Sequence, residues 1–154
     1  PMTEKELKEM SSSGAFLIPA LSVLDKGIAY VIEKGSDRKW MSEAELLIEI
    51  KRIYDAGITI LAGTDPPNFG LDYGLSVHRE LELLSQSGIP SAEVLKCATF
   101  NAYGVYGYEY NGIESGNEAS FFLVEGNPET DISATHKILT RWMKGREIND
   151  INEY

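Results

Sequence analysis

The run Ile58-Thr59-Ile60-Leu61-Ala62 is apolar at odd and even positions alike, apart from Thr59, and it follows directly on a strongly signalled helix. A strand with one wet face alternates apolar and polar residues. A nearly continuous run indicates instead a strand covered on both faces, as in parallel sheets. An earlier run, Ala15-Phe16-Leu17-Ile18, repeats the arrangement after an earlier helix. Both helices open on a capping box, Thr3-Glu4-Lys5-Glu6 and Ser42-Glu43-Ala44-Glu45. In each, the hydroxyl and the carboxylate three residues on satisfy N–H groups left open in the first turn. The second helix places Leu46, Leu47, Ile50, Ile53 and Tyr54 on one face, its opposite face is charged, and Gly57 is suited to end it. Helix–strand–helix–strand order with short joints predicts an α/β chain of the βαβ kind. Residues 22–40 make a long connection, with room for a short helix around residues 28–32.

Beyond the second run, Pro66-Pro67-Asn68-Phe69-Gly70 cannot be regular structure. A helix is predicted over residues 73–87, with Leu75, Leu81 and Leu84 inward and Gly88 as its stop. Ser91 is read as the cap of a further helix that turns Val94, Leu95, Ala98 and Ala102 inward. From about Tyr110 the pattern changes. Phe121-Phe122-Leu123-Val124 reads as a strand, Gly126-Asn127-Pro128 as a turn, and residues 138–143 as a second strand. Lys144-Gly145 then turns the chain into a third, at residues 146–148.

Composition narrows the function. The 154 residues are enough for a buried core, and 43% apolar with 25% charged content is that of a globular protein. A formal charge of −10 and the lack of any Lys/Arg cluster argue against nucleic acid and anionic membranes as partners. No apolar run approaches the roughly 18 residues of a membrane span. Cys97 is the single cysteine, so no intrachain disulfide can form, and a reducing, cytoplasmic setting is expected. It falls in an apolar helical pattern, which marks a buried, inert thiol. Pro1 ahead of Met2 reads as the remnant of a cleaved tag, with Met2 as a native start.

By spacing alone, one place stands out for chemistry. A buried parallel strand ends in Gly63-Thr64-Asp65 and breaks into a Pro/Gly/Asn loop. Parallel α/β folds project their active-site residues from such strand ends. Asp65 is therefore a candidate metal ligand or general base, and equally a loop cap that accepts backbone N–H bonds.

The segment Ala56-Gly57-Ile58-Thr59-Ile60-Leu61-Ala62-Gly63-Thr64-Asp65 resembles the last barrel strand of the amidohydrolase superfamily. His78-Arg79-Glu80-Leu81-Glu82-Leu83-Leu84 and Gly88-Ile89-Pro90-Ser91-Ala92-Glu93-Val94-Leu95 are similar to its imidazolonepropionase-like and prolidase-like branch, and Ala98-Thr99-Phe100-Asn101-Ala102 to that branch's helix after the last strand. Gly112-Ile113-Glu114-Ser115-Gly116 and Gly126-Asn127-Pro128 continue the resemblance into a small closing β-sandwich. Pro19-Ala20-Leu21-Ser22-Val23-Leu24 is similar to the penultimate barrel strand.

The resemblance implies the last two strand–helix units of a TIM-type barrel over residues 1–110, part of a β-sandwich over 111–148, and a frayed tail at 149–154. It implies hydrolysis of C–N bonds in amides or cyclic amides, with Asp65 as metal ligand and as proton acceptor from metal-bound water. Asn68 and His78 are the candidates for substrate contact, although His78 reads better as a polar residue lining a helix–barrel contact. The cofactor implied for the parent family is a divalent metal, zinc or similar. Such centres also need a His-x-His pair, a bridging carboxylated lysine or acid, and two further histidines. Here there are only His78 and His136, the latter read as a surface residue. Ser120 stands where the family has Asp, which bears on a local turn. Ser22 would face the site mouth, but no base accompanies it, and Tyr103, Tyr106, Tyr108 and Tyr110 read as packing. The chain alone is expected to hold little or no metal and to be inactive unless a partner chain supplies the other ligands, its small-molecule substrate then binding the completed site. The alternative is a non-catalytic folded piece that covers its open strand edges by forming a homo-oligomer.

Overall fold

The computed structural model describes residues 1–35, 41–109 and 112–148. Trp40, at the end of the long connection, Tyr110 and the tail 149–154 lie outside the described residues. Both capping boxes form. Thr3 starts α1 (Glu4–Ser13) and Ser42 starts α3 (Glu43–Asp55), each hydroxyl accepting the N–H of the glutamate three residues on. That glutamate in turn accepts the N–H of its own cap residue, at 2.7 Å in both helices. Each helix delivers the chain to a short strand. β1 (Phe16–Leu17) and β2 (Thr59–Ile60) pair in parallel, Phe16 opposite Thr59 and Leu17 opposite Ile60. The Leu61 N–H extends the ladder to the Leu17 carbonyl at 2.9 Å.

The two faces of this pair differ, contrary to the expectation of cover on both. Ile60 is buried in the main core and Leu61 is also buried, whereas Phe16 is 40% and Ile18 44% exposed. The second face is covered only in part: Phe16 meets Tyr106 of α6 (Phe100–Tyr106) edge to face, at 6.4 Å between ring centroids, and Leu61 on that face is buried. On the core side, Leu7 of α1, Ile50 and Ile53 of α3, Leu81 and Leu84 of α4 (Ser76–Gln86) and Val94 of α5 (Ser91–Cys97) close over β2. The charged side of α3 is not wholly outside. Glu49 is buried, where it accepts the Met2 N–H at 2.5 Å and pairs with Arg52 at 2.7 Å.

Several boundaries move. The stretch 21–24, expected as strand, opens a 13-residue helix α2 (Leu21–Glu33) that fills most of the supposed long connection. α4 starts at Ser76 rather than 73, which leaves Leu75 outside the helix and 67% exposed. Ser91 does not cap α5. It is the first helical residue, after Pro90, and its hydroxyl meets that of Ser85 at 3.4 Å. The single helix expected from Ser91 is two, α5 and α6 (Phe100–Tyr106), broken at Thr99. The break changes the phase, so Val94 and Cys97 are buried while Ala98 is exposed and Ala102 half-buried.

The C-terminal part matches its sequence pattern closely. β3 (Phe121–Val124), β4 (Ile138–Met143) and β5 (Arg146–Ile148) form one antiparallel sheet in chain order. Lys144 and Gly145 both take positive φ, 49° and 79°, the turn geometry whose twist suits a two-residue hairpin. Ser120 bears on this turn, as its hydroxyl accepts the Lys144 N–H at 3.1 Å. A 3₁₀ helix, Ile132–His136, carries Ile132 into the main core beside α4. No helix among the described residues is long and apolar enough to cross a membrane.

Candidate functional site at the end of β2

From β2 the chain runs through Gly63 to Asp65. A side chain at Gly63 would run into Ile18, so glycine lets the end of β2 lie against the chain leaving β1. The Ala62 N–H is held by the Cys97 carbonyl at the end of α5, at 2.9 Å. Asp65 itself is exposed and takes φ 50°, a left-handed conformation that Asp and Asn tolerate better than most residues. Asn68 then folds back on it. Its Nδ2 donates to Asp65 Oδ2 at 2.8 Å and to the Asp65 carbonyl at 3.0 Å, while the Asn68 N–H reaches the same carbonyl at 3.4 Å. The hydrogen bond described for the Asp65 carboxylate thus comes from a side-chain amide, not from the backbone N–H of a capped loop. One carboxylate oxygen is oriented and the exposed side chain remains open to a ligand.

The sequence candidates separate in space. Asp65 and Asn68 are brought together. The ring contact of His78 is with His136, at 4.6 Å between centroids. His78 is only 7% exposed, and its Nδ1 has no partner among the described residues. Burial pushes its pKa below the usual histidine value, and the neighbouring His136 pushes it further the same way, against Glu82. His136 is a surface residue, as expected, yet its Nε2 lies 2.9 Å from Glu82 Oε1. Among the described residues, no three His, Cys, Asp or Glu side chains converge so as to hold a metal ion. The residues present therefore do not by themselves fit a metal centre.

Glu80 was missed by the sequence reading. It is fully buried and accepts three hydrogen bonds, from Leu21 N–H at 2.9 Å, Ser22 N–H at 2.8 Å and Ser22 Oγ at 2.9 Å. Ala20, the residue before α2, offers no side-chain cap, so Glu80 supplies one from α4. Burial raises the Glu80 pKa, opposed by the bonds from Ser22 and Leu21. The signal was present in the sequence: Glu80 shares its helix face with the core residues Leu81 and Leu84. The same bonds explain Ser22, which is buried and donates to Glu80. Cys97 is buried as expected, and its thiol is pushed up to about 11, so it stays protonated and inert.

The sequence model of the amidohydrolase family matches residues 6–148. No curated protein matches the chain. Among solved structures, a Xaa-Pro dipeptidase with bound methionine in its active site superposes with a TM-score of 0.75 at 21% identity, over 96% of this chain and 37% of that one. Ochratoxinase from A. niger superposes with a TM-score of 0.67 at 23% identity, over 94% and 34%. Molinate hydrolase gives 0.66 at 15% identity, over 97% and 36%. The chain thus spans little more than a third of the length of these proteins, and at such identities the likeness is one of fold.

Proposed function

Because this chain belongs to the amidohydrolase family, we propose that it is the C-terminal part of a metal-dependent hydrolase of C–N bonds, in amides or cyclic amides. In this reading β1–α2 and β2–α4 are the last two strand–helix units of a TIM-type barrel, and the three-stranded sheet is part of a closing β-sandwich. Asp65 provides one metal ligand, and the centre is completed by strands outside this chain. The observation that carries the reading is the position of Asp65 at the C-terminal end of a parallel strand, its carboxylate exposed and oriented by Asn68. The names of the similar structures, a dipeptidase and a hydrolase among them, favour the same chemistry. Asn68 acts on Asp65, and a substrate contact by His78 finds no support in its burial against His136. On its own the chain is inactive, and its single cysteine suits the cytoplasm.

The open side of β1 favours a second reading beside the first, a homo-oligomer. Phe16 and Ile18 present apolar surface on a two-stranded sheet, which a second copy would cover. Metal analysis and light scattering on the purified chain test both. Sub-stoichiometric zinc and manganese are expected. Stoichiometric tightly bound metal, lost on Asp65→Ala, would overturn incompleteness, and a clean monomer would overturn self-association. Hydrolysis is tested by supplying the first six barrel strands in trans. Turnover of an amide substrate that disappears in Asp65→Asn is the expected result, and turnover that survives it refutes the role of Asp65.

A further inference from the structure

The chain has two histidines, and they meet across the junction between α4 and the 3₁₀ helix that leads into β4. The rings lie 4.6 Å apart and are tilted by 37°. His78 sits on the α4 side, 7% exposed, with Nδ1 unpartnered among the described residues. His136 sits on the other side, about half exposed, with Nε2 against Glu82. We propose that this stacked pair is a pH-sensitive latch, which holds the 3₁₀ helix Ile132–His136 on α4 when His78 is neutral and releases it when His78 takes up a proton.

The reasoning begins with what a proton would meet at His78. An imidazolium carries a donor on both nitrogens, and here one of them is buried without an acceptor. Its positive charge would also stand one ring from His136. Glu82 is the carboxylate facing the pair, and it is already divided between His136 at 2.9 Å and Arg79 at 3.5 Å. The charges on neighbouring elements are committed elsewhere. Asp25 of α2 and Glu43 of α3 approach Arg79 at 3.4 and 3.9 Å, and Glu93 of α5 pairs with Lys96 at 2.7 Å. On the 3₁₀ helix, Asp131 accepts from Ser133, and Lys137 follows His136 in the chain. Apart from Glu82, none of these described contacts offers His78 a counter-charge. Opening the junction exposes His78 to water, where its pKa returns to the ordinary histidine value of about 6.5. The open state therefore binds the proton first. The junction is fully held above that value and weakens as pH falls below it, down to the lower pKa of the closed state.

Amide hydrogen exchange on the full chain, expressed as protection relative to intrinsic rates, tests the latch. Protection at residues 132–136 should fall by up to about tenfold between pH 7.5 and 5.5, the limit for one linked proton that only the open state binds. In His78→Phe, which keeps a ring in the stack but cannot titrate, this fall should vanish. In His136→Phe it should be smaller and end at higher pH, because without the like-charge neighbour the closed-state pKa of His78 lies nearer its ordinary value. Protection that does not change with pH in the wild type, or an unaltered fall in His78→Phe, overturns the proposal. Should His78→Phe not fold, NMR titration of the wild-type imidazoles decides. His78 titrating below 6.5 in step with lost protection supports the latch, and His78 titrating with protection unchanged refutes it.

Discussion

Gly63→Ala asks how closely the end of β2 lies against the chain leaving β1, two residues before Asp65. A Cβ at this position would overlap the Ile18 side chain, so Ile18 must move. Overpacking of this kind costs about 1–3 kcal/mol. The lower end applies, since Ile18 is 44% exposed and has solvent to swing into. Gly63 has no left-handed φ, so the alanine also gains roughly 0.4–1 kcal/mol by restricting the unfolded chain. The net loss should be about 1 kcal/mol, or roughly 2–4 °C in Tm for a chain of this size. Ile18→Ala alone removes a side chain little more than half buried and should cost about 1–2 kcal/mol, below the range for fully buried isoleucine. In the double variant the clash is absent, so its loss should fall short of the sum by about 1–2 kcal/mol. Urea unfolding of the four proteins, with m-values compared, measures this directly. Additivity within about 0.5 kcal/mol would show that the two residues do not touch, and would refute the reasoning.

Glu80→Ala leaves two backbone N–H groups and the Ser22 hydroxyl unsatisfied at a buried helix start, and should cost about 2–4 kcal/mol in urea unfolding at pH 7. Because burial raises the Glu80 pKa, its contribution is complete below the ordinary value of 4.5 and is lost as pH rises through the raised one. The gap between wild type and variant should therefore widen on acidification, and a gap that narrows would reverse the assigned cause. Ser42→Ala removes the hydroxyl half of a formed capping box and should cost about 1 kcal/mol, read as a fall in Tm. Cys97 should resist alkylation at pH 8 in the native chain and react at the rate of a free thiol in urea, since it is buried and its pKa stands at about 11. Equal rates in the two states would place the thiol at the surface.

The parts of this fold that were legible beforehand rest on interactions a few residues long. Thr3 with Glu6, Ser42 with Glu45, and the Lys144-Gly145 turn each complete themselves locally, so residue type and spacing were enough to place α1, α3 and the β4–β5 hairpin. Asp65 was legible for a related reason, as a polar residue at the point where an apolar strand stops, and Asn68 joined it from three residues away. The start of α2 was not legible, because its cap is Glu80, 58 residues on from Ser22. The cover on the β1–β2 pair was misjudged as well. Apolar character at both parities says that two faces avoid water, but not how completely the second is covered, where Phe16 meets Tyr106 and yet stays 40% exposed. Likewise, two histidines 58 positions apart carry no mark in the sequence that they will stack, since their meeting depends on where α4 and the 3₁₀ helix dock. The α1 and α3 starts and the β4–β5 turn were thus settled by neighbours along the chain. The Glu80 cap, the buried His78 and the partly covered second face were settled only when segments remote in sequence were packed together, because desolvation and pairing at those positions belong to the assembled core and to no local pattern.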